Sequence, residues 1–282
     1  MKLKNFFFAA LLLLSLNAAN AQTINVATYN MRNDNNSEDS VHGNGWKQRY
    51  PVIAELIRFH DFDIFGTQEC LYHQIQDISK ELPEYNYYGI GRDDGKHAGE
   101  HSEIFFKRDK FGLLAHGDFW LSQTPDKPSL GWDATCCNRI CSWVYLQDKK
   151  SGKKFYVFNA HYDYQKDLAR NESSKLILKE IRRIAGSRPI IFTGDLNGGN
   201  DTEWYKVITS SGFLKDTYEE AKNPYAISGS FNGFGPDVKS DEIIDHIFIG
   251  KQFTLVKWGI LTDTYHGKYP SDHFPVMAQL KL

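Results

Sequence analysis

Cysteine is scarce in this chain, neither sign of charge is in excess, and long apolar runs are confined to one place. The four cysteines are Cys70, Cys136, Cys137 and Cys141. No two of them form a Cys-x-x-Cys pair, which argues against a thiolate zinc site. Thirty-three basic residues face 35 acidic ones. That balance argues against a protein devoted to coating nucleic acid, although a local basic groove is compatible with a neutral total. Lys149 to Lys154 carries four lysines around Ser151-Gly152, which reads as a solvated hairpin turn rather than a nucleic-acid patch. No long basic insert and no amphipathic membrane-docking helix is evident. After residue 16 no stretch is apolar and long enough to cross a bilayer.

The one long apolar run, Phe6 to Leu16, follows the basic start Met1-Lys2-Leu3-Lys4 and precedes Ala19-Asn20-Ala21. That is the order of a secretory signal peptide with a small-x-small cleavage site. The run is short for a membrane anchor, and no cysteine stands at the cut to take a lipid. The expectation is a signal peptide at 1–21 and a mature chain at 22–282, exported to the periplasm or beyond the cell. The remaining 261 residues (282 less 21) suit one α/β domain. No internal linker or low-complexity segment divides it, and a monomer is expected. An exported chain can form disulfides. Cys136 or Cys137 with Cys141 is a pairing that the spacing allows and does not prove.

The elements alternate. Strands are expected at Ile24–Asn30, Phe62–Glu69, Tyr85–Ile90, Glu103–Lys107, Phe111–Leu121, Arg139–Leu146, Phe155–His161, Pro189–Asp195, Ile243–Ile249, Phe253–Ile260 and Phe274–Leu280. Helices are expected at about Lys47–Phe59, after Glu69 with Leu71, Ile75, Ile78 and Leu82 on one face, and from Lys166 to Ala185 with Gly186 as C-cap. A shorter helix starts at an Asn200 cap and ends near Gly212. Met31 to Gly45 reads as a polar loop, as do Ser122–Asn138 and Tyr225–Ser240. Trp120, Trp132, Phe231 and Phe234 lie in or beside loops, where they either line a cleft or stay partly buried.

The chemistry centres on Pro189-Ile190-Ile191-Phe192-Thr193-Gly194-Asp195-Leu196-Asn197. If the strand persists to its end, Asp195 and Asn197 project to the same side of its tip. A carboxylate beside a carboxamide can aim a hydrolytic water by two hydrogen bonds. Other strands end on or run through polar residues of the same kind: Asn30, Glu69, His161 and Asp245. Asp272-His273 joins from the last loop. Each alone has an ordinary explanation as a turn or cap residue. So many ionisable groups at strand ends point to one convergent site. A set of carboxylates, carboxamides and a few imidazoles suits a hard divalent ion, Mg²⁺ above all and Mn²⁺ as an alternative. The matching chemistry is displacement at phosphorus.

The ordered segments Tyr29-Asn30, Gln68-Glu69, Asn159-Ala160-His161, Gly194-Asp195-Leu196-Asn197, Ile244-Asp245-His246 and Ser271-Asp272-His273 resemble the endonuclease/exonuclease/phosphatase superfamily, over the whole mature chain. The resemblance implies a four-layer α/β/β/α sandwich, with two mixed sheets face to face and helices outside. It implies that Glu69 is the principal metal carboxylate, with Asn30 and Asp272 beside it. It implies that Asp195 polarises water, that Asn197 fixes water or substrate, and that His161 and His273 bind the scissile phosphate. Asp245 would orient His273. Arg139 is offered as a phosphate contact, and His246 receives no role. The expected activity is Mg²⁺-dependent phosphoester hydrolysis on a small molecule, sugar phosphate, lipid head group or nucleic acid. A secreted nuclease is one alternative, and a non-catalytic phospholigand-binding module is another. A dinuclear metallophosphatase of different fold ranks last, because Gly-Asp-x-His and Gly-Asn-His motifs are absent.

Overall fold

Alternation along the strands decides how the layers stack. The computed structural model describes residues 23–235 and 240–282, so the expected signal peptide lies outside the described residues. One six-stranded sheet has the order β11-β12-β1-β2-β4-β3. Its strands are β1 (Thr23–Asn30), β2 (Ile64–Gln68), β3 (Tyr85–Tyr88), β4 (Ile104–Lys107), β11 (Thr254–Ile260) and β12 (Val276–Lys281). The second sheet has the order β5-β6-β7-β8-β10-β9. It contains β5 (Phe111–Trp120), β6 (Ile140–Asp148), β7 (Lys154–His161), β8 (Ile190–Asp195), β9 (Leu214–Asp216) and β10 (Asp245–Gly250).

Residue i faces the opposite side from i+1 in a strand. Val26, Ile64, Val157, Ile191 and Ile247 therefore fill the space between the sheets. Their neighbours Ala27 and Phe65 face α2 (Trp46–Phe59) and α3 (Tyr72–Glu81), through Ile53, Ile57, Ile75 and Ile78. Phe158, Phe192 and Phe248 face α4 (Asp167–Ala185) and α5 (Glu203–Thr209), through Ile177, Ile181, Trp204 and Ile208. The result is the expected sandwich of helices, sheet, sheet and helices.

The inner layer changes character along its length. Going up the strands, apolar Val26, Val157 and Ile191 give way to buried Thr28, Asn159 and Thr193, and then to Asn30, His161 and Asp195. Asn159 joins the two sheets. Its Oδ1 accepts from Gln68 Nε2 (2.7 Å) and Thr193 Oγ1 (3.0 Å), while its Nδ2 donates to the Thr67 and Glu103 carbonyls. Gly66 makes room for it, since a Cβ there would lie 2.4 Å from Asn159 Oδ1.

Several local expectations need correction. Met31 to Gly45 is not all loop: α1 (Ser37–Val41) forms where Asn36 caps the Glu38 N–H. The helix after residue 200 is capped at Thr202 rather than Asn200, and it ends at Thr209. The three-residue β9 went unread, being too short to show a period. Cys141 points into the core on β6 as a free thiol, and Cys136 is bonded instead to its neighbour Cys137. Trp120 is buried, its Nε1 donating to the Arg92 carbonyl.

Candidate active site

Topology brings the polar strand ends to one edge of the sandwich. β1 and β2 run parallel, and so do β7 and β8, so Asn30, Gln68, His161 and Asp195 end at matching levels. β10 runs antiparallel to β8 and begins at that edge. The register pairs His161 with Asp195 and Asp195 with Asp245, which forms a single row across three strands. All three side chains are buried. The loop before β12 delivers Asp272 and His273 to the same place, its Ser271 hydroxyl donating to the Asn30 carbonyl at 2.7 Å.

Asn30 links the two sheets at the site. Its Oδ1 accepts the Arg32 N–H (3.0 Å), which fixes the orientation of the amide. Its Nδ2 therefore faces two carboxylates, Glu69 Oε1 at 3.1 Å and Asp195 Oδ2 at 3.0 Å. Glu69 Oε2 takes the Asn33 N–H and Nδ2 at 3.1 and 2.9 Å. β2 ends at Gln68, and Glu69 itself adopts φ 65°. A non-glycine residue in the left-handed region carries strain of the kind that clusters at functional sites.

Asp195 ends β8, and the strand does not continue to Asn197, which sits at φ 50°. The expected strand-type projection of both side chains is replaced by a turn. Asp195 Oδ1 accepts the Asn197 N–H at 2.9 Å, and Asn197 Nδ2 donates to the Tyr162 carbonyl at 3.1 Å. The other oxygen of Asp195, Oδ2, which accepts from Asn30, lies 3.6 Å from His161 Nε2 and 3.8 Å from His273 Nε2.

Charge is distributed unevenly over these groups. Burial, then repulsion from Asp245, raises the Asp195 carboxyl to about 7, against the pull of His273. Burial alone would lower the proton affinity of His273. The charges of Asp245, whose Oδ2 lies 2.9 Å from Nδ1, and of Asp195 and Asp272 push it up to about 10 instead. His161 goes the other way: burial, then Arg139 and Arg92, hold it well below its ordinary value. The site thus pairs one imidazolium with one neutral imidazole. Burial opposes ionisation of Glu69, but His273, the Asn33 N–H, Asn30 and Arg32 outweigh it and hold its carboxyl low. Asp272 is held above the usual carboxylate range by burial and by Glu69, against His273 and Arg32.

Two places deserve comparison as cation sites. Asp195, Asp245 and His273 offer atoms within 4.8 Å of one another. In that set His273 turns Nδ1 to Asp245 Oδ2 at 2.9 Å, so the two are already committed to each other. Half-buried Glu69, linked to Asp195 by Asn30, and buried Asp272 form an oxygen-rich set in which the Glu69 charge raises the proton affinity of Asp272. That chemistry fits a hard divalent ion.

Sequence reasoning missed several residues in this cleft. Asn33 and Arg32 hold Glu69 and Asp272, with Arg32 Nη1 3.6 Å from Asp272 Oδ2. Arg49 on α2 is completely buried and donates to the Met31, Arg32, Asn44 and Pro270 carbonyls. Glu100 places Oε2 3.8 Å from His161 Nδ1. None of these stands at a strand end, so no pattern announced them. Arg139 is buried at the start of β6 rather than lying on the surface. Phe231 is 43% exposed and packs edge-on against the His273 ring. His246 points to the other face, to Asp216 and the Gly198 carbonyl.

A two-sheet sandwich with acidic, amide and imidazole groups gathered at one edge defines a class of phosphoric ester hydrolases. Residues 27–273 match the Endonuclease/Exonuclease/phosphatase family, and the chain belongs to it. It is similar to the mannosyl-6-phosphatase of Bacteroides thetaiotaomicron, at 47% identity over 92% of this chain and 100% of that one, with a TM-score of 0.89. It is 28% identical to an uncharacterised protein of Acanthamoeba polyphaga mimivirus, over 82% of this chain and 91% of that one. It is 22% identical to the Ccr4 exoribonuclease subunit of the CCR4-Not complex of Emericella nidulans, of which it spans 53%. Among the described residues, no helix is long and apolar enough to cross a membrane.

Proposed function

We propose that the protein is a divalent-metal-dependent phosphomonoesterase acting on a sugar phosphate. The observation that carries this reading is the single Asn30 amide that joins Glu69 of one sheet to Asp195 of the other. It ties a metal-type carboxylate to a base-type carboxylate at hydrogen-bonding distance. The 47% identity to a mannosyl-6-phosphatase supports a sugar monoester as the substrate.

Glu69 and Asp272 would hold the cation, with Asn30 orienting both Glu69 and Asp195. Mg²⁺ fits this oxygen set best and Mn²⁺ is the alternative. Bound there, the ion would supply neutralisation of charge on the phosphoryl oxygens. Asp195 Oδ2 takes the proton of a water as that water's oxygen bonds to phosphorus, and the sugar oxygen leaves with the P–O bond electrons and takes a proton from a solvent water to become the alcohol. The Asp195–Asn197 turn fixes the base. His273, charged and oriented by Asp245, donates to a phosphoryl oxygen. His161, neutral, hydrogen-bonds the same group, and Arg139 contributes a further charge.

Phosphate release from hexose 6-phosphates, nucleotides, inositol phosphates, oligoribonucleotide and plasmid DNA, with Mg²⁺ or with chelator, tests the reading. Chelator-sensitive release from the sugar monoester is expected. Asp195→Asn should reduce it by roughly 10²–10⁴-fold, the usual weight of a general base. Undiminished activity in that variant would falsify the assignment. Kinship with Ccr4 favours RNA cleavage as the second reading. Residues 1–21 are proposed as an export signal and 22–282 as one exported, monomeric catalytic domain. N-terminal sequencing and sedimentation of the secreted protein would test this.

A further inference from the structure

Arg92 and His161 meet at Glu100 Oε2, and Arg139 acts on His161 through its charge. Arg139 is 5% exposed; its guanidinium makes no hydrogen bond or ion pair with any described residue, and its Nε and Nη1 are shielded and unpartnered. Its guanidinium lies over the Tyr164 ring at 5.9 Å. Arg92 sits at the neck of the loop between residues 91 and 101, where Gly91 pairs with His101 and the Arg92 N–H donates to the Glu100 carbonyl at 3.0 Å. Its side chain meets Glu100 through Nη1, and its Nε makes no hydrogen bond, with Asp93 Oδ1 3.9 Å away as its nearest counter-charge. The Arg92 carbonyl accepts from Trp120 Nε1 (2.7 Å) and Asn138 Nδ2 (3.3 Å), which fixes it beside Arg139, the next residue along. His161 Nδ1, 3.8 Å from Glu100 Oε2, is also unpartnered.

Three orphaned N–H groups on two buried cations are costly unless an acceptor arrives. Glu100 and Asp163 are the carboxylates nearest Arg139 in charge effect, and they leave those donors unsatisfied. An anion with several oxygens would satisfy them. A monoester phosphoryl group carries nearly two charges and three terminal oxygens at neutral pH. A diester carries one charge and two such oxygens. We propose that Arg92 and Arg139, held in place by Glu100, bind the extra charge and oxygen of a monoester phosphoryl group and make this site select monoesters over diesters. This inference rests on the phosphoester reading above and assigns Arg92 and Glu100 as specificity-determining and positioning residues.

The test compares kcat/KM for 4-nitrophenyl phosphate and bis(4-nitrophenyl) phosphate in the wild type and Arg92→Gln, alongside calorimetric titration of metal-free protein with inorganic phosphate. The wild type should prefer the monoester. Arg92→Gln should cut the monoester-to-diester ratio and the phosphate affinity each by about tenfold or more, the weight of one charge-assisted hydrogen bond. Arg92→Lys should fall between, since it keeps the charge and loses the fork; it also serves if Arg92→Gln does not fold. A wild type that prefers the diester, or a ratio and affinity unmoved in both variants, would overturn the proposal. A wild type inert on both esters would sink the hydrolase reading, while the phosphate titration would still decide the subsite.

Discussion

His273 Nδ1 lies 2.9 Å from Asp245 Oδ2, and both side chains are shut away from solvent. The charges of Asp245, Asp195 and Asp272 together overcome the burial that would otherwise lower the proton affinity of the ring. A folded-state pKa near 10 against an ordinary value of 6.5 stabilises the fold fully below pH 6.5. That contribution disappears as pH rises through about 10.

Asp245→Asn should therefore destabilise the metal-free protein by about 3–5 kcal/mol at pH 6, as removal of one partner of a buried pair does. The gap to the wild type should narrow at about pH 10, where the wild type too loses the His273 proton that Asp245 holds. Urea unfolding at the two pH values measures it, and a gap that does not change with pH would contradict the charged pair.

Metal binding should release protons. Asp195, raised to about 7, is partly protonated in the metal-free protein at neutral pH, and burial and Glu69 shift Asp272 in the same direction. A divalent ion requires them charged. Mg²⁺ affinity should increase by about tenfold or more between pH 5.5 and 8. Calorimetry in buffers of different ionisation enthalpy should detect the released protons. An affinity independent of pH would place the ion elsewhere.

Asn159→Leu removes four hydrogen bonds at the seam between the sheets. The Thr67 carbonyl loses its side-chain donor and the Gln68 amide loses an acceptor, while the Glu103 carbonyl keeps the Thr67 N–H. Each such group costs about 1–3 kcal/mol, so a loss of about 3 kcal/mol or more is expected from chemical denaturation. A loss under about 0.5 kcal/mol, the range of neutral surface changes, would show that the seam tolerates an apolar filling.

Arg49→Met withdraws the guanidinium that holds Met31, Arg32 and Pro270 together. Those carbonyls flank Asn30 and Asp272. The substitution should cost about 3 kcal/mol and also weaken Mg²⁺ binding at 25 °C, where the variant stays folded. Loss of stability with unchanged metal affinity would make Arg49 a strut of the fold alone.

The parts of this molecule that the sequence revealed are those governed by local periodicity. The apolar run ending at Asp195 and the alternation through Val157 and His161 mark strands whose tips must lie together once the strands run parallel. Glu69 and Asp245 were legible for the same reason. The turn at Asn197 was not, because whether a strand outlives its glycine depends on Tyr162 across the sheet. Arg92 and Glu100 meet only because a loop closes between Gly91 and His101. Arg49 reads as an ordinary charged helix residue until its four carbonyl partners are seen. Cys136 pairs with Cys137 because Cys141 is committed to the core, a fact of strand direction rather than of spacing.

The most direct measurement is the anomalous scattering of Mn²⁺ in crystals of the wild-type protein. A peak is expected within bonding distance of a Glu69 carboxylate oxygen, with Asp272 beside it and Asp195 facing it across a water. A peak held by Asp195 and Asp245 with Glu69 unligated, or no peak at this edge of the sandwich, would contradict the account.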